Sequence, residues 1–263
     1  MQSNPNAVLS AAFNSNGDKI ITASSDKTAK VWNAISGQCI LTLKGPADSL
    51  WSVAFSPEGR QIITASHDKT AKVWDANSGQ CILTIQGHFP GAWSAAFNPD
   101  GGKIIIPAFL TAEVLNATSG KRILTLHGHS GEVWSAAFSP NGDKVITASD
   151  DKTAKAWEAN SGRCILTFEG HSRGVQSAAF SPDGARIITA SYDQTAKVWD
   201  ASSGQCIFTL QGDSDNVKSA EFSPDGARII IAPSTRPLRS GTPVPDSVSS
   251  PCKAIFRGLE CSM

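Results

Sequence analysis

Several features that would point to a particular chemistry are scarce in this sequence. Charged residues make up only 17% of 263 residues, and 23 Lys and Arg balance 23 Asp and Glu. With no net charge, no overall field favours nucleic acid or an acidic membrane. The apolar runs are strand-sized, as at residues 103–110, and none has the length of a membrane-spanning helix. The sequence therefore predicts neither a nucleic-acid partner nor a membrane partner.

Signals for cofactors and metals are missing as well. No glycine-rich loop of the phosphate-binding type occurs, because the glycines stand at turn positions. His127 and His129 lie two residues apart, but no third ligand follows at a zinc-binding spacing. We expect neither a cofactor nor a metal site.

What the sequence does contain is a repeat of about 42 residues. One phenylalanine recurs in register, at Phe13, Phe55, Phe97, Phe138, Phe180 and Phe222. A second marker recurs with it, at Trp32, Trp74, Leu115, Trp157 and Trp199. The predicted propeller domain is residues 1–232, with units of approximately 4–45, 46–87, 88–128, 129–170 and 171–212 and a partial unit at 213–232.

Each unit is predicted to form four short strands. In the best-preserved unit, residues 170–212, the apolar runs are 175–180, 186–190, 195–199 and 206–210. Turn signals such as Ser-Pro-Asp-Gly at 181–184 separate them, which favours hairpins. One four-stranded antiparallel sheet cannot bury both faces alone, so the copies must stack against one another, and radial stacking gives a β-propeller.

At this point the units resemble WD40 repeats. Gly170 and His171 open one unit, Ser191 and Asp193 follow in register, and Trp199 with its following Asp closes the third strand. The resemblance covers about residues 7–232 and implies an all-β WD40 propeller with five full blades and a partial sixth. An open or truncated ring is one alternative. The copies are very similar to one another in sequence, and in this they resemble the repeats of fungal incompatibility-type signalling NTPases.

The resemblance implies a structural role for the residues that look most chemical. Two complete sets would form buried hydrogen-bond chains: His129, Ser149, Asp151 and Trp157, and His171, Ser191, Asp193 and Trp199. A Ser, a His and an Asp together also suggest a hydrolase. A catalytic set has no reason to recur at a repeat interval, so no catalytic residue is predicted.

Two units carry incomplete sets. The second has Pro46 where the histidine belongs, and the third keeps His88 but has Leu115 in the tryptophan position. We expect His88 to turn toward solvent and Pro107 to interrupt the second strand of a weakened third blade.

Function is sought where the copies differ. After the first-strand valine or its equivalent stand Leu9, Trp51, Trp93, Trp134, Gln176 and Lys218. Before the turn aspartate stand Ser25, His67, Asp150 and Tyr192. The resemblance places both sets on one rim around the central opening. The predicted partner-binding residues are Trp51, Trp93, Trp134, His67 and Tyr192. The alternative is that the tryptophans only pack between blades.

The remaining predictions concern the cysteines, the termini and the partners. Four cysteines recur on the fourth strand of separate blades, too far apart to pair, and are predicted to be reduced: Cys39, Cys81, Cys164 and Cys206. Nothing pairs Cys252 and Cys261. The first ten residues lack a secretion signal, so we expect a cytoplasmic protein, with the nucleus as the alternative. Residues 233–263, rich in Pro and Ser, are predicted to be a disordered tail. The alternative is that residues 252–258, which resemble 206–212, return as a fourth strand of the sixth blade after a long loop.

Three functions follow from these observations. The first is a non-enzymatic scaffold that binds a protein or peptide on the propeller rim, with self-association through open blade edges as a further expectation. The second is a detached sensor module of a larger NTPase. The third is a propeller hydrolase, which would need a polar cluster in the central channel that breaks the repeat.

Overall fold

The computed structural model describes residues 7–87, 94–212 and 216–233. His88, Trp93, both C-terminal cysteines and the tail from residue 234 lie outside these ranges. In chain order the described strands are β1 Val8–Phe13, β2 Lys19–Ser24, β3 Thr28–Asn33, β4 Cys39–Lys44, β5 Leu50–Phe55, β6 Gln61–Ser66, β7 Thr70–Asp75, β8 Cys81–Gln86, β9 Ala96–Phe97, β10 Lys103–Ala108, β11 Thr111–Asn116, β12 Arg122–His127, β13 Val133–Phe138, β14 Lys144–Ser149, β15 Ala154–Glu158, β16 Cys164–Phe168, β17 Val175–Phe180, β18 Arg186–Ser191, β19 Thr195–Asp200, β20 Cys206–Gln211, β21 Val217–Phe222 and β22 Ile229–Pro233.

The strands form five four-stranded antiparallel sheets and one two-stranded sheet. In each full sheet the four strands lie side by side in chain order, from β1-β2-β3-β4 to β17-β18-β19-β20, whereas β21 pairs with β22 alone. The hairpins close as their turn residues predict: Gly184 adopts a φ of 71°, and its N–H donates to the Ser181 carbonyl at 2.8 Å. The predicted all-β architecture of five full blades and a partial sixth is confirmed.

The first strand of every sheet lies innermost. β1 packs against β5, β9 contacts both β5 and β13, β13 packs against β17, and β17 packs against β21. Four of the five outermost strands begin at the recurrent cysteines, all of which are exposed free thiols, and the fifth, β12, begins at Arg122. The six sheets therefore fan around an opening that the first strands line.

The hydrophobic core consists of separate clusters between neighbouring sheets. The cluster between the first two sheets joins Ile21 and Leu43 to Trp74, and a later one joins Phe168 to Trp199. The rings of Phe168 and Trp199 meet edge to face, with centroids 5.7 Å apart. Because Trp74, Trp157 and Trp199 each pack against the preceding sheet, these three tryptophans hold the array together.

The third sheet departs from the sequence prediction at Pro107. We expected this proline to interrupt the second strand, but β10 runs through it, and Pro107 pairs with Ala112 of β11. The described part of β9 pairs only with Ile104 and Ile105, so no described strand on that side needs an N–H from Pro107. The prediction was wrong because proline is tolerated where a ladder partner is absent.

The ring is not closed within the described ranges. The sixth sheet contains only β21 and β22, and neither packs extensively against β1. Within the same ranges, the fold contains no helix long and apolar enough to cross a bilayer.

Candidate functional site

A buried polar chain crosses the fourth and fifth sheets. In the fourth, His129 Nδ1 lies 2.7 Å from Asp151 Oδ2, and His129 Nε2 lies 2.7 Å from the Thr147 hydroxyl. Trp157 Nε1–H donates to the same hydroxyl at 2.8 Å. Because a carboxylate only accepts, Nδ1 carries the proton, and Nε2 accepts from Thr147. His171, Thr189, Asp193 and Trp199 repeat the arrangement in the fifth sheet.

In the buried polar chain, the ionised groups are the aspartates. Burial lowers the pKa of His129 and of His171 below the ordinary value, although the paired aspartates act in the opposite direction. The pKa values of Asp151 and Asp193 are also lowered, because hydrogen bonds to the carboxylates outweigh their burial. The imidazoles are therefore neutral donors to ionised aspartates near neutral pH.

The serines occupy a different place from the one the resemblance implied. Ser149 Oγ donates to the Gly131 carbonyl at 3.0 Å and accepts from the Asp151 N–H at 3.1 Å. Thr147 therefore links His129 to Trp157, and sequence reasoning missed it. A serine hydrolase would need the imidazole to be hydrogen-bonded to the serine hydroxyl. Here the His129 imidazole is hydrogen-bonded instead to Thr147, whose hydroxyl also accepts from the Trp157 indole.

The second sheet keeps only part of the polar chain. Trp74 Nε1 donates to the Thr64 hydroxyl at 3.0 Å, and the Asp68 carboxylate accepts from the Ala47 N–H at 2.6 Å. Pro46 replaces the histidine, so the imidazole bond to the aspartate is lost, whereas the backbone bond remains; its equivalent in the fourth sheet is the bond from Ser130 N–H to Asp151 at 3.0 Å. The third sheet carries Ile106 and Leu115 in the threonine and tryptophan positions, both buried, so both polar partners are lost together.

A β-bulge marks the position where the copies differ. The pairing of the first two strands shifts register at the second residue of β1, β5, β13, β17 and β21. The residues at these bulges are Leu9, Trp51, Trp134, Gln176 and Lys218. A bulged residue is released from the regular ladder, and bulges commonly re-aim a side chain next to a functional site.

Backbone hydrogen bonds bring the second variable set to the same end of the sheets. His67 N–H donates to the Ser49 carbonyl at 2.9 Å, and Tyr192 N–H donates to the Gly174 carbonyl at 3.0 Å. In both cases the acceptor stands two residues before the bulge residue. Ser25 and Asp150 make the equivalent bonds. We call the bulge residues and these four pre-turn residues together the variable rim.

Side-chain contacts connect the rim of the second sheet to that of the sixth. The rings of Trp51 and His67 lie 6.4 Å apart between centroids, and His67 Nδ1 lies 3.1 Å from the Asp48 carboxylate. From across the opening, Lys218 Nζ lies 5.6 Å from the centroid of the Trp51 ring. Because the second and sixth sheets are not neighbours, this contact shows that rim side chains converge on the opening.

The fifth sheet contributes a more polar part of the rim. Gln176 and Tyr192 share a side-chain hydrogen bond. Burial raises the pKa of Tyr192, and the negative charges of Asp150 and Glu132 raise it further. The amide nitrogen of Gln176 is buried with no acceptor among the described residues. This region therefore combines an aromatic ring, a buried amide group and nearby carboxylates.

The rim tryptophans differ from the core tryptophans. Trp51 and Trp134 are half-buried and belong to none of the clusters between sheets, which contain Trp74, Trp157 and Trp199 instead. The alternative that the rim tryptophans only fill space between blades therefore lacks support for these two. Trp93, the third predicted member, lies outside the described residues.

The opposite end of the opening holds a cavity of about 350 Å³. Its wall comes from the ends of five first strands and includes Phe13, Phe55, Phe97, Phe138 and Phe180. These are the recurrent phenylalanines of the repeat. Because every copy supplies the same side chain, repetition alone explains this wall, and the variable rim remains the candidate site.

Comparison with known families agrees with this architecture. The family described as "WD domain, G-beta repeat" matches residues 2–33, 37–75, 120–158, 162–200 and 204–234. The chain belongs to the WD40-repeat family. WD40 repeats generally serve as protein-interaction scaffolds rather than enzymes. The unmatched stretch between residues 75 and 120 carries Ile106 and Leu115, the apolar replacements in the polar chain. A search of curated proteins found no match.

Metal binding receives no support from side-chain geometry. In the three described ranges, no three His, Cys, Asp or Glu residues converge as ligands. His129, the residue that suggested zinc, is already engaged with Asp151 and Thr147.

Proposed function

We propose that this WD40 protein is a non-enzymatic scaffold that binds a protein or peptide segment on its variable rim. The observation that carries the proposal is a contrast between copies. The core positions repeat the same residues, whereas the bulge position holds Leu, Trp, Gln and Lys at one end of the opening. Where core packing does not determine which residue occupies a position, the requirements of partner binding can determine it.

The chemistry of the rim suits a peptide. Trp51 and Trp134 offer aromatic anchors of the kind enriched at binding hot spots. Gln176 adds a polar amide next to the Tyr192 ring. His67 and Tyr192 flank these positions through their contacts with Trp51 and Gln176.

The test is affinity capture from a cell extract with a Trp51→Ala, Trp134→Ala double variant. A matched control is Ile82→Ala, Ile165→Ala, which removes exposed apolar side chains from the outer strands of the same two sheets. We expect proteins held by the wild type to be lost from the rim variant and kept by the control, since loss of one hot spot costs about 2 kcal/mol, roughly thirtyfold in affinity. Equal retention by both variants, with native circular dichroism, would refute the rim as the binding site.

The near-identity of the units supports a second candidate, a repeat module of a larger signalling NTPase. The segments 61–74 and 186–199 share most of their residues. The genomic sequence upstream provides the test. A nucleotide-binding segment in the same reading frame would support this candidate, and an unrelated upstream gene would reject it.

Exposed thiols support an intracellular location. Cys39, Cys81, Cys164 and Cys206 are all exposed and unpaired. Exposed free cysteines suit a reducing compartment, such as the cytoplasm or nucleus. Imaging of a fluorescent fusion tests this proposal, and secretion of the fusion would contradict it.

A further inference from the structure

Trp51 already has a cation over its ring. Lys218 Nζ lies 5.6 Å from the ring centroid, within the roughly 6 Å range in which an ammonium is attracted to an aromatic face. The two residues occupy equivalent bulge positions of the sixth and second sheets. Lys218 is exposed, so its ammonium can leave this position for solvent without opening the core.

A carboxylate is linked to this aromatic face through His67. His67, which packs against Trp51, is within 3.1 Å of the Asp48 carboxylate. About half of each of these two side chains is exposed. Lys27 is also near, but its ammonium donates to the Ala47 carbonyl at 2.8 Å. Farther along the rim, Asp150 and Glu132 act on Tyr192.

We propose that the Trp51 face is a cation-binding subsite that receives a lysine or arginine side chain of a basic peptide segment, and that Lys218 occupies this subsite in the unbound protein. The proposal rests on the proposed function, because it names the chemistry of the partner at the same rim. Lys218 makes within the protein the same cation–π contact with Trp51 that the partner's cation makes. The partner's cation must therefore displace Lys218 from the ring.

Charge decides between a basic partner and an apolar one. An apolar side chain could also cover an indole, but it would gain nothing from the ring quadrupole or from Asp48. The structure places an ammonium over this ring. An arginine has the further advantage that its planar guanidinium stacks on aromatic faces.

The experiment compares two short peptides that differ only in charge. Ac-Gly-Gly-Lys-Gly-Gly-amide is titrated against the full chain by peptide-observed saturation-transfer NMR, and the norleucine peptide serves as the uncharged control. We expect millimolar binding of the lysine peptide and at least a threefold weaker response from norleucine. Equal responses, or no response from the lysine peptide, would overturn the proposal.

Two lysine variants test whether Lys218 competes with the lysine peptide for the Trp51 face. Lys218→Met keeps the length of the side chain but removes its charge, so the lysine peptide should bind about twofold to fivefold more tightly. The matched control is Lys30→Met, because Lys30 lies 5.9 Å from the Trp32 ring but outside the rim. We expect no change in the control. Unchanged or weaker binding to Lys218→Met would contradict competition and with it the proposal.

Trp51 variants test the subsite itself. Trp51→Leu should abolish the preference for lysine over norleucine, and Trp51→Phe should keep part of it, because phenylalanine retains a weaker aromatic face. Native near-ultraviolet circular dichroism establishes that each variant is folded. A Trp51→Leu protein that retains the full preference would overturn the proposal.

The outcome can be separated from that of the proposed function. If the lysine peptide shows no preference while the Trp51→Ala, Trp134→Ala variant still loses its partners, the rim binds a partner of other chemistry. If the lysine preference is present but the double variant keeps its partners, the subsite exists and the main interface lies elsewhere.

Discussion

Replacing Thr147 with valine tests the polar chain most directly. Valine keeps the shape and β-branching of threonine but cannot form hydrogen bonds. It would leave His129 Nε2 without its donor and Trp157 Nε1 without its acceptor. Both groups are buried, and each unpaired buried group costs about 1–3 kcal/mol. We expect Thr147→Val to lower the free energy of unfolding by about 2–6 kcal/mol, the sum for the two groups.

The second sheet supplies a matched control. Thr64 occupies the equivalent position and is equally buried, and it also accepts from an indole, Trp74 Nε1, but it has no imidazole to donate to, because Pro46 replaces the histidine. Thr64→Val should therefore cost about 1–3 kcal/mol, the value for one unpaired group. The difference between the two variants isolates the histidine bond.

Urea unfolding followed by circular dichroism measures both losses. Repeat arrays need not unfold in one step, so native-state hydrogen exchange in β14 and β6 should accompany it, which assigns each loss to its sheet. Equal losses for Thr147→Val and Thr64→Val would refute the reasoning, since His129 would then gain nothing from the threonine.

Two further predictions concern the core and acid stability. Trp199→Ala should lower the free energy of unfolding by about 3–5 kcal/mol, because Trp199 is buried between two sheets. Trp51→Ala should cost much less, and equal urea midpoints would contradict that assignment. Burial holds the pKa of His171 below its unfolded value of about 6.5, so the unfolded chain binds a proton first and stability should decline as pH falls below about 6.5. The thermal midpoint measured from pH 7.5 to 5.5 should fall less in His171→Asn than in the wild type, and identical slopes would contradict this prediction.

The repeat allowed most of the fold to be predicted. The recurrent phenylalanine ends the first strand in every sheet, and the recurrent cysteines begin four of the five fourth strands. Strand boundaries could be predicted because the copies have turn residues in the same register, so five or six copies supported each boundary. Pro107 had no such support, since it occurs in one copy only, and its effect depended on the extent of β9.

The link in the polar chain could have been found from the sequence. Threonine stands in the middle of the second strand in the units that keep tryptophan, at Thr22, Thr64, Thr147 and Thr189. The third unit has Ile106 there and Leu115 in place of tryptophan. The two positions change together because they share a hydrogen bond in the other copies, and a buried donor without its acceptor is unstable.

The convergence of the rim could not be predicted from the sequence. Trp51 and Lys218 belong to sheets that are not neighbours, and their contact depends on how far the fan of sheets curves. A bulge also breaks the alternation that sequence patterns reveal. Equivalent positions could be aligned, but which of them meet across the opening is decided by the geometry of the array.

The two ends of the opening differ in how much the copies vary: the residues at one end are the same in the copies, whereas the residues at the other end differ. At one end, five phenylalanines of the same register form a cavity wall, and a substitution in one copy would break a surface that the others maintain. At the other end, a bulge frees one residue in five of the six sheets as far as the structure describes them, and the chain places an indole, an amide and an ammonium there. Since these residues contribute to no core between sheets, they can change without loss of the array. A scaffold with nearly identical blades can therefore acquire a specific partner by changing bulge residues alone.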